Sequence, residues 1–292
     1  MALLDTGVIA QPISPMPSVE AALALTDASF SYGDGHPALD QISLRIERGE
    51  KIALLGANGS GKSTILKLLN GLLHPTSGIF SVFGQVLDER SLKNEKVAQQ
   101  FRRRVGFVFQ NSDAQLFSPT VRDEIAFGPL QLGLSRAEVE QRIADVAAMT
   151  EITRLLDRPP FHLSGGEKKK VALASVLIIN PEVILLDEPT NGLDPRSQRW
   201  LVEMLVTLHR AGKTIVTATH DLEIVPEIAD RVVVMDEEHR IAGVGPTDTV
   251  LRDRKLLLRV NLIHEHSHWH GSICHSHPHS HSGEHDHDHG DG

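Results

Sequence analysis

The sequence predicts an α/β fold with a buried core sheet, an antiparallel β portion, a helical insertion and a disordered C-terminal tail. Three observations carry this expectation. Five short apolar runs, residues 52–55, 105–109, 183–186, 215–218 and 232–235, read as strands covered on both faces. Two alternating runs, 42–46 and 79–83, read as antiparallel strands with one exposed face. Helix-like stretches separate several of the apolar runs, which is the α/β pattern.

In chain order, residues 1–20 hold Pro12, Pro15 and Pro17 with no apolar period, and read as a flexible leader. Residues 21–263 read as one folded domain. Within it, about 111–170 lacks strand runs and forms a helical subdomain. Ser135 stands three residues before Glu138 there, the capping-box spacing that starts a helix. From His264 onward His, Ser, Asp and Gly dominate, and Trp269, Ile273 and Cys274 are the apolar side chains. Such a segment buries too little surface to offset its ordering entropy, so residues 264–292 are expected to be disordered. No internal repeat of 20–50 residues is visible.

Composition narrows the function classes. No apolar run approaches the roughly 20 residues a spanning helix needs. The apolar patch near Leu3, Leu4, Val8 and Ile9 is interrupted by Asp5 and preceded by no Lys or Arg, so it does not read as a signal peptide. A membrane role then comes through a partner. The formal charge of −9 speaks against general affinity for nucleic acid. Cys274 is the single cysteine, so no internal disulfide forms and a reducing, cytosolic setting follows.

Gly56-Ala57-Asn58-Gly59-Ser60-Gly61-Lys62-Ser63 fits the phosphate-binding loop pattern at every fixed position. A strand-like run leads in, and Thr64 opens a stretch with helical spacing. Glycines let successive N–H groups wrap an oxyanion, and a helix N-terminus adds partial positive charge. Lys62 is expected on the β- and γ-phosphates and Ser63 on Mg²⁺. The apolar run 183–186 ends in Asp187 and Glu188. Carboxylates at the end of a buried strand need a cation or hydrogen-bond partners. Mg²⁺ held by Asp187, directly or through water, supplies one. Glu188 then orients or deprotonates the attacking water.

With these residues in hand, 21–245 resembles the ATPase subunits of ABC transporters. The resemblance implies a RecA-like P-loop NTPase core bearing the antiparallel and helical portions. Leu163-Ser164-Gly165-Gly166-Glu167 is similar to the family signature, and a helical stretch follows it. The resemblance implies that this element binds the γ-phosphate of ATP held by an opposite subunit, so a homodimer or pseudo-dimer is expected. It further implies that Tyr32 stacks on adenine, a flat base suited to its ring. It places Gln110 on Mg²⁺ and the attacking water, Asp194 in a loop signalling across the dimer, and His220 on the γ-phosphate and Glu188. Glu188, His220, Gln110 and Lys62 are the catalytic candidates. Nucleotide contacts are expected from Tyr32, the loop residues Gly56 and Asn58 to Thr64, Gln110, the signature residues Ser164 to Glu167, Asp194 and His220. The Mg²⁺ candidates are Ser63, Gln110 and Asp187.

The stretch 110–121 with Leu116 and Phe117, followed by Glu124, residues 126–129 and 132–134, is similar to ATPases of energy-coupling-factor importers, the cobalt/nickel branch above all. That resemblance implies a transmembrane coupling subunit and a substrate-binding membrane subunit as partners, and a place at the cytoplasmic face of the plasma membrane. Leu116 and Phe117 suit a docking surface for the partner's coupling helix, or belong to the core of the insertion. Eleven histidines crowd the tail: His264, His266, His268, His270, His275, His277, His279, His281, His285, His287 and His289. Neutral imidazole ligates Ni²⁺, Co²⁺, Zn²⁺ and Cu²⁺, so a metal on the tail is expected to be buffered, delivered, stored or sensed there, unless the segment is merely solvated. The sequence does not order these ions, and affinity rank favours Cu²⁺ over Ni²⁺ in any case; the resemblance, not ligand chemistry, selects nickel or cobalt as cargo. The other readings are the same ATPase serving a vitamin or other nutrient, a non-transport ABC ATPase, and a metal-storage protein. The last two fit poorly with one complete ATP site and no heptad run or basic stripe.

Overall fold

The computed structural model describes residues 21–33, 35–270 and 273–280. Along the chain, β1 (Leu23–Ser31) and β2 (Pro37–Ile46) pair antiparallel, and β3 (Lys51–Leu55) runs into α1 (Lys62–Leu69). Next come β4 (Ser77–Val82), β5 (Gln85–Val86), α2 (Glu89–Leu92), α3 (Glu95–Arg104) and β6 (Val105–Val108). The helical insertion holds α4 (Ser112–Gln115), α5 (Val121–Gln131), α6 (Arg136–Met149) and α7 (Gly165–Leu177). The chain returns through β7 (Val183–Asp187), α8 (Pro195–Arg210), β8 (Thr214–Thr219), α9 (Val225–Ile228), β9 (Arg231–Met235) and β10 (Ile241–Pro246). It continues with α10 (Thr247–Arg252), α11 (Arg254–Arg259), β11 (Ile263–His270) and β12 (Ile273–Ser280).

Two sheets organise the domain. The antiparallel sheet has the order β2-β1-β4-β5, and the central sheet β10-β9-β3-β8-β7-β6. From β9 to β6 the central strands are parallel, with Ile52 beside Val216 and Leu185 beside Val216 in register. Their near-continuous apolar character follows from burial on both faces. On β7, Val183 and Leu185 join the core shared with α1 and the antiparallel sheet, while Ile184 and Leu186 face the core shared with the helical insertion and α8. On β3, Ile52 and Leu54 enter the first core, and Ala53 and Leu55 enter a third with Val225 and Leu257. The period of two along a strand divides one run between two cores. Every strand of the parallel part therefore ends on the same edge, and the functional loops gather there.

Ser135 caps α6, accepting from Glu138 N at 3.3 Å, as its spacing predicts. The tail differs from expectation in its backbone. β11 and β12 pair antiparallel, with His264 opposite His279, His266 opposite His277, and His268 opposite His275. The alternation of histidine with other residues has the period of a strand. A lone two-stranded ribbon is marginal in water, so this pairing adds little to the fold. The leader, residues 1–20, and His281, His285, His287 and His289 lie outside the described residues.

Candidate active site

The loop between β3 and α1 closes on itself through glycine. Gly59 and Gly61 have φ of 87° and 104°, in the left-handed region. A Cβ on Gly61 would also lie 2.8 Å from Ala38 O, so no side chain fits there. Lys62 follows, and 5% of it is exposed. Its Nζ donates to Gly56 O (2.8 Å) and Ala57 O (3.1 Å). Burial pulls the Lys62 ammonium below its ordinary range, opposed by the charges of Glu188 and Asp187. That ammonium is held against the loop carbonyls rather than left to solvent.

At the end of β7 the chain turns sharply, and Glu188 takes φ 42°. This left-handed backbone costs a residue with a Cβ about 1 kcal/mol or more, and such strain clusters where a side chain must be aimed. Ser63 Oγ donates to Asp187 Oδ1 at 2.8 Å. Burial pushes the Asp187 carboxyl up, and the bond from Ser63 opposes that. Glu188 Oε2 meets His220 Nδ1 at 3.0 Å. An ionised carboxylate only accepts, so the imidazole Nδ1 donates in that contact. The other oxygen, Oε1, lies 3.5 Å from Lys62 Nζ and is a buried atom with no hydrogen bond among the described residues. Lys62, Glu188 and His220 thus stand in a row at the edge of the central sheet, with Glu188 between the other two.

One cavity of about 400 Å³ collects much of the predicted set. Asn58, Gly59, Gly61, Lys62, Ser63 and Thr64 line it from the loop; Tyr32, Gln110, Glu188 and His220 complete it. Tyr32 is 45% exposed, stands edge-on to Phe30 and has its hydroxyl 3.4 Å from Thr64 Oγ1. Gly56 and Ser60 serve beneath the cavity: a Cβ on Gly56 would lie 2.4 Å from Ser60 Oγ, and Ser60 is buried. The residue set fits Mg²⁺: a serine hydroxyl and a carboxylate meet directly, beside a buried carboxylate oxygen still lacking a hydrogen bond.

The signature residues lie elsewhere. Ser164, Gly166, Glu167 and Asp194 line a second cavity, about 830 Å³, together with Arg154 and Lys170. Ser164 caps α7 in a full capping box with Glu167. Glu167 accepts from Ser164 N at 3.1 Å, which holds its carboxyl below the usual range. Asp194 caps α8, accepting from Arg196 N and Ser197 N. A Cβ on Gly166 would lie 2.3 Å from Ser197 Oγ, so the two helix starts approach as closely as glycine permits. Gly165 stands beside them at the first position of α7. In one chain, then, the loop half and the signature half do not meet. The Glu167 and Asp194 carboxylates are already engaged in helix capping.

Some residues of these sites were not singled out in the sequence. Asn191 and His239 line the first cavity. Lys169 is buried, and its Nζ donates to Phe109 O (3.2 Å) and Gln110 O (3.0 Å). Nothing local distinguishes it from Lys168 and Lys170. Leu116 packs on the helical core, whereas Phe117 is 67% exposed and stacks edge-on with Phe127. Among the described residues no cluster of three or more His, Cys, Asp and Glu side chains could hold a metal ion, and no helix is long and apolar enough to cross a membrane.

Comparison with known proteins gives these features a family. The profile of the ABC transporter family matches residues 39–191. The chain is 49% identical to the nickel import ATP-binding protein NikO of Rhodobacter capsulatus, over 83% of this chain and 96% of that one. It is 45% identical to the energy-coupling factor transporter ATP-binding protein EcfA of Methanothermobacter thermautotrophicus, over 82% and 76%. Among solved structures, cbiO1 of Clostridium perfringens, part of the cbiONQ complex, superposes with a TM-score of 0.71 at 38% identity, over 83% of this chain and 95% of that one. The dimeric structure of a bacterial ABC transporter cassette superposes with a TM-score of 0.69 at 27% identity, over 77% and 98%. Strand order, phosphate loop, signature and sequence identity agree, and this chain belongs to the ABC transporter family, as an ATP-binding subunit of the energy-coupling-factor type whose ATP hydrolysis is coupled to transport.

Proposed function

We propose that this chain hydrolyses ATP to drive an energy-coupling-factor importer for nickel or cobalt ions, working as a nucleotide-sandwich dimer on the cytoplasmic face of the plasma membrane. The observation that carries the enzymatic part is the Glu188 carboxylate, reached by Lys62 at 3.5 Å on one side and His220 at 3.0 Å on the other. In this reading Lys62 neutralises the β- and γ-phosphates, and the loop N–H groups cradle them. Glu188 orients the attacking water and takes its proton, and His220 holds Glu188. Mg²⁺, when bound, supplies charge neutralisation on the phosphate oxygens, with Ser63, Asp187 and Gln110 as the residues that would hold it. Tyr32 stacks on adenine. The signature cavity of a second copy, with Ser164 to Glu167 and Asp194, closes over the γ-phosphate and excludes water. The separation of the two cavities within one chain supports this dimeric reading.

Docking of the transmembrane subunit is proposed at the groove of about 330 Å³ lined by Leu72, Phe101, Phe107, Phe109 and Ile179, with exposed Phe117 and Phe127 on the helical insertion. The metal cargo rests on the relationship to NikO and on the eleven tail histidines, which we propose bind Ni²⁺ or Co²⁺. A second reading, the same ATPase in a vitamin or other nutrient importer, draws on the relationship to EcfA, whose name carries no metal.

The test is uptake. Membranes carrying the transporter accumulate ⁶³Ni²⁺ or ⁵⁷Co²⁺ with the natural chain and fail to with Lys62→Ala. Accumulation of a vitamin instead, with no metal uptake, selects the second reading. Titration of the full chain and a chain ending at Ile263 with Ni²⁺ tests the tail; equal binding by the two removes it as a metal site.

A further inference from the structure

Beyond the residues of the known motifs, Asn191 and a further polar wall line the nucleotide cavity. That wall is formed by the turn between β9 and β10, which delivers His239. The turn is tied down from several sides. Asp236 Oδ1 accepts from Glu238 N (3.0 Å) and Arg240 N (2.9 Å). Asp40 N donates to His239 O at 3.1 Å, and Arg240 Nε donates to Asp40 Oδ2 at 2.7 Å. His239 itself takes φ 63°, a left-handed conformation that is uncommon outside glycine and that histidine tolerates better than most residues in a tight turn.

The ring is placed with equal definition. Nδ1 is enclosed and has no hydrogen-bond partner among the described residues. It lies 3.9 Å from the point where a Cβ on Gly61 would stand, against the start of α1. Nε2 is not among the buried atoms that lack a partner and makes no hydrogen bond among the described residues, so it lies on the open edge of the ring. A proton on Nδ1 would be shut away without an acceptor, which is costly. In the neutral ring the proton therefore belongs on Nε2, which turns a donor toward the cavity. Lys62, Ser63, Glu188 and His220 line the cavity together with Tyr32, Ala38 and His239. In the proposed reading Tyr32 takes the base, and His239 shares that lining.

We propose that His239 is a nucleotide-binding residue, its Nε2–H donating to an oxygen or ring nitrogen at the nucleoside end of ATP. This rests on the reading of the cavity as the ATP site. His239 adds affinity and takes no part in the chemical step.

The experiment measures the affinity of the full chain for MgATP and for inorganic tripolyphosphate, which has the phosphates but no nucleoside. His239→Gly removes the side chain and accepts the left-handed backbone, so the turn is preserved; His239→Gln keeps an N–H donor. The expected result for His239→Gly is a Kd for MgATP raised about fivefold, the worth of one neutral hydrogen bond. Tripolyphosphate affinity changes less than about twofold, and His239→Gln recovers much of the loss. Unchanged MgATP affinity in His239→Gly overturns the inference. So does an equal loss for tripolyphosphate, which would mean that the side chain supports the phosphate loop instead. A natural chain that binds no MgATP overturns the reading of the cavity itself, an outcome separate from either of these.

Discussion

Ser63 Oγ donates to Asp187 Oδ1 at 2.8 Å, although 124 residues separate the two in the chain. The bond joins the first turn of α1 to the end of β7 and brings a hydroxyl and a carboxylate to one point beside the phosphate loop. Asp187→Asn keeps the shape and an acceptor for Ser63 but removes the charge. Burial already disfavours that charge, so thermal stability is expected to hold or rise slightly. Mg²⁺-dependent phosphate release is expected to fall at least about 100-fold. Differential scanning fluorimetry and a phosphate-release assay across Mg²⁺ concentrations check both halves. Retained Mg²⁺-dependent turnover would remove Asp187 from the metal site.

Substitutions at Glu188 and His220 are expected to separate binding from chemistry. Glu188→Gln keeps the size of the side chain, so MgATP binding persists while hydrolysis falls by about 10²–10⁴, the usual worth of a positioned base. Size-exclusion chromatography with MgATP is expected to show that variant as a persistent dimer. His220→Ala leaves Glu188 Oε2 without its 3.0 Å partner and is expected to slow hydrolysis while changing ATP affinity little. Full turnover by Glu188→Gln would refute its assignment as the base.

Ser164 carries two separable burdens. As the N-cap of α7 it accepts from Glu167 N, and Ser164→Ala loses about 1 kcal/mol of stability, a fall of a few degrees in Tm. As part of the signature cavity it is also expected to be needed for the dimeric ATPase. Ser164→Asp restores the cap but places a negative charge where a γ-phosphate is to bind. It should recover Tm without recovering hydrolysis. Recovery of both would reduce Ser164 to a structural role.

Lys169 supplies a pH signature. Burial lowers it to about 8 from its ordinary 10.5, with the charge of Asp187 opposing. Between those two values the unfolded chain holds a proton that the folded chain has released. Stability from this residue therefore rises as pH climbs from about 8 toward 10.5. Lys169→Met removes that slope. The difference in Tm between natural chain and variant, followed from pH 7 to 9.5, should move in favour of the natural chain as pH rises. A constant difference would contradict the burial of a titrating amine.

Much of the fold was legible because its signals are local. Strand 183–187 declares itself by an unbroken apolar run that two cores divide between them, and the cap at Ser135 by its spacing to Glu138. The phosphate loop was equally plain, since glycine at 59 and 61 is demanded by the backbone at those very positions. Lys169 and His239 were not legible. One sits in a row of three lysines, and only the packing of α7 selects which of them is enclosed against Phe109 O and Gln110 O. The other lies in a turn whose closeness to Gly61 depends on how β9 and β10 lie against β2. The tail histidines were legible as composition, but their cross-strand order is a matter of register.

By itself the sequence determined the order of elements, the loop for an anion, the helix caps and the carboxylates at a strand end, because each is written within a few residues and enforced by backbone geometry. Only the tertiary structure decided that Ser63 meets Asp187, that Glu188 stands between Lys62 and His220, and that the signature opens into a different cavity from the phosphate loop. Those relationships join distant positions, and they follow from which strands become neighbours and where each strand stops.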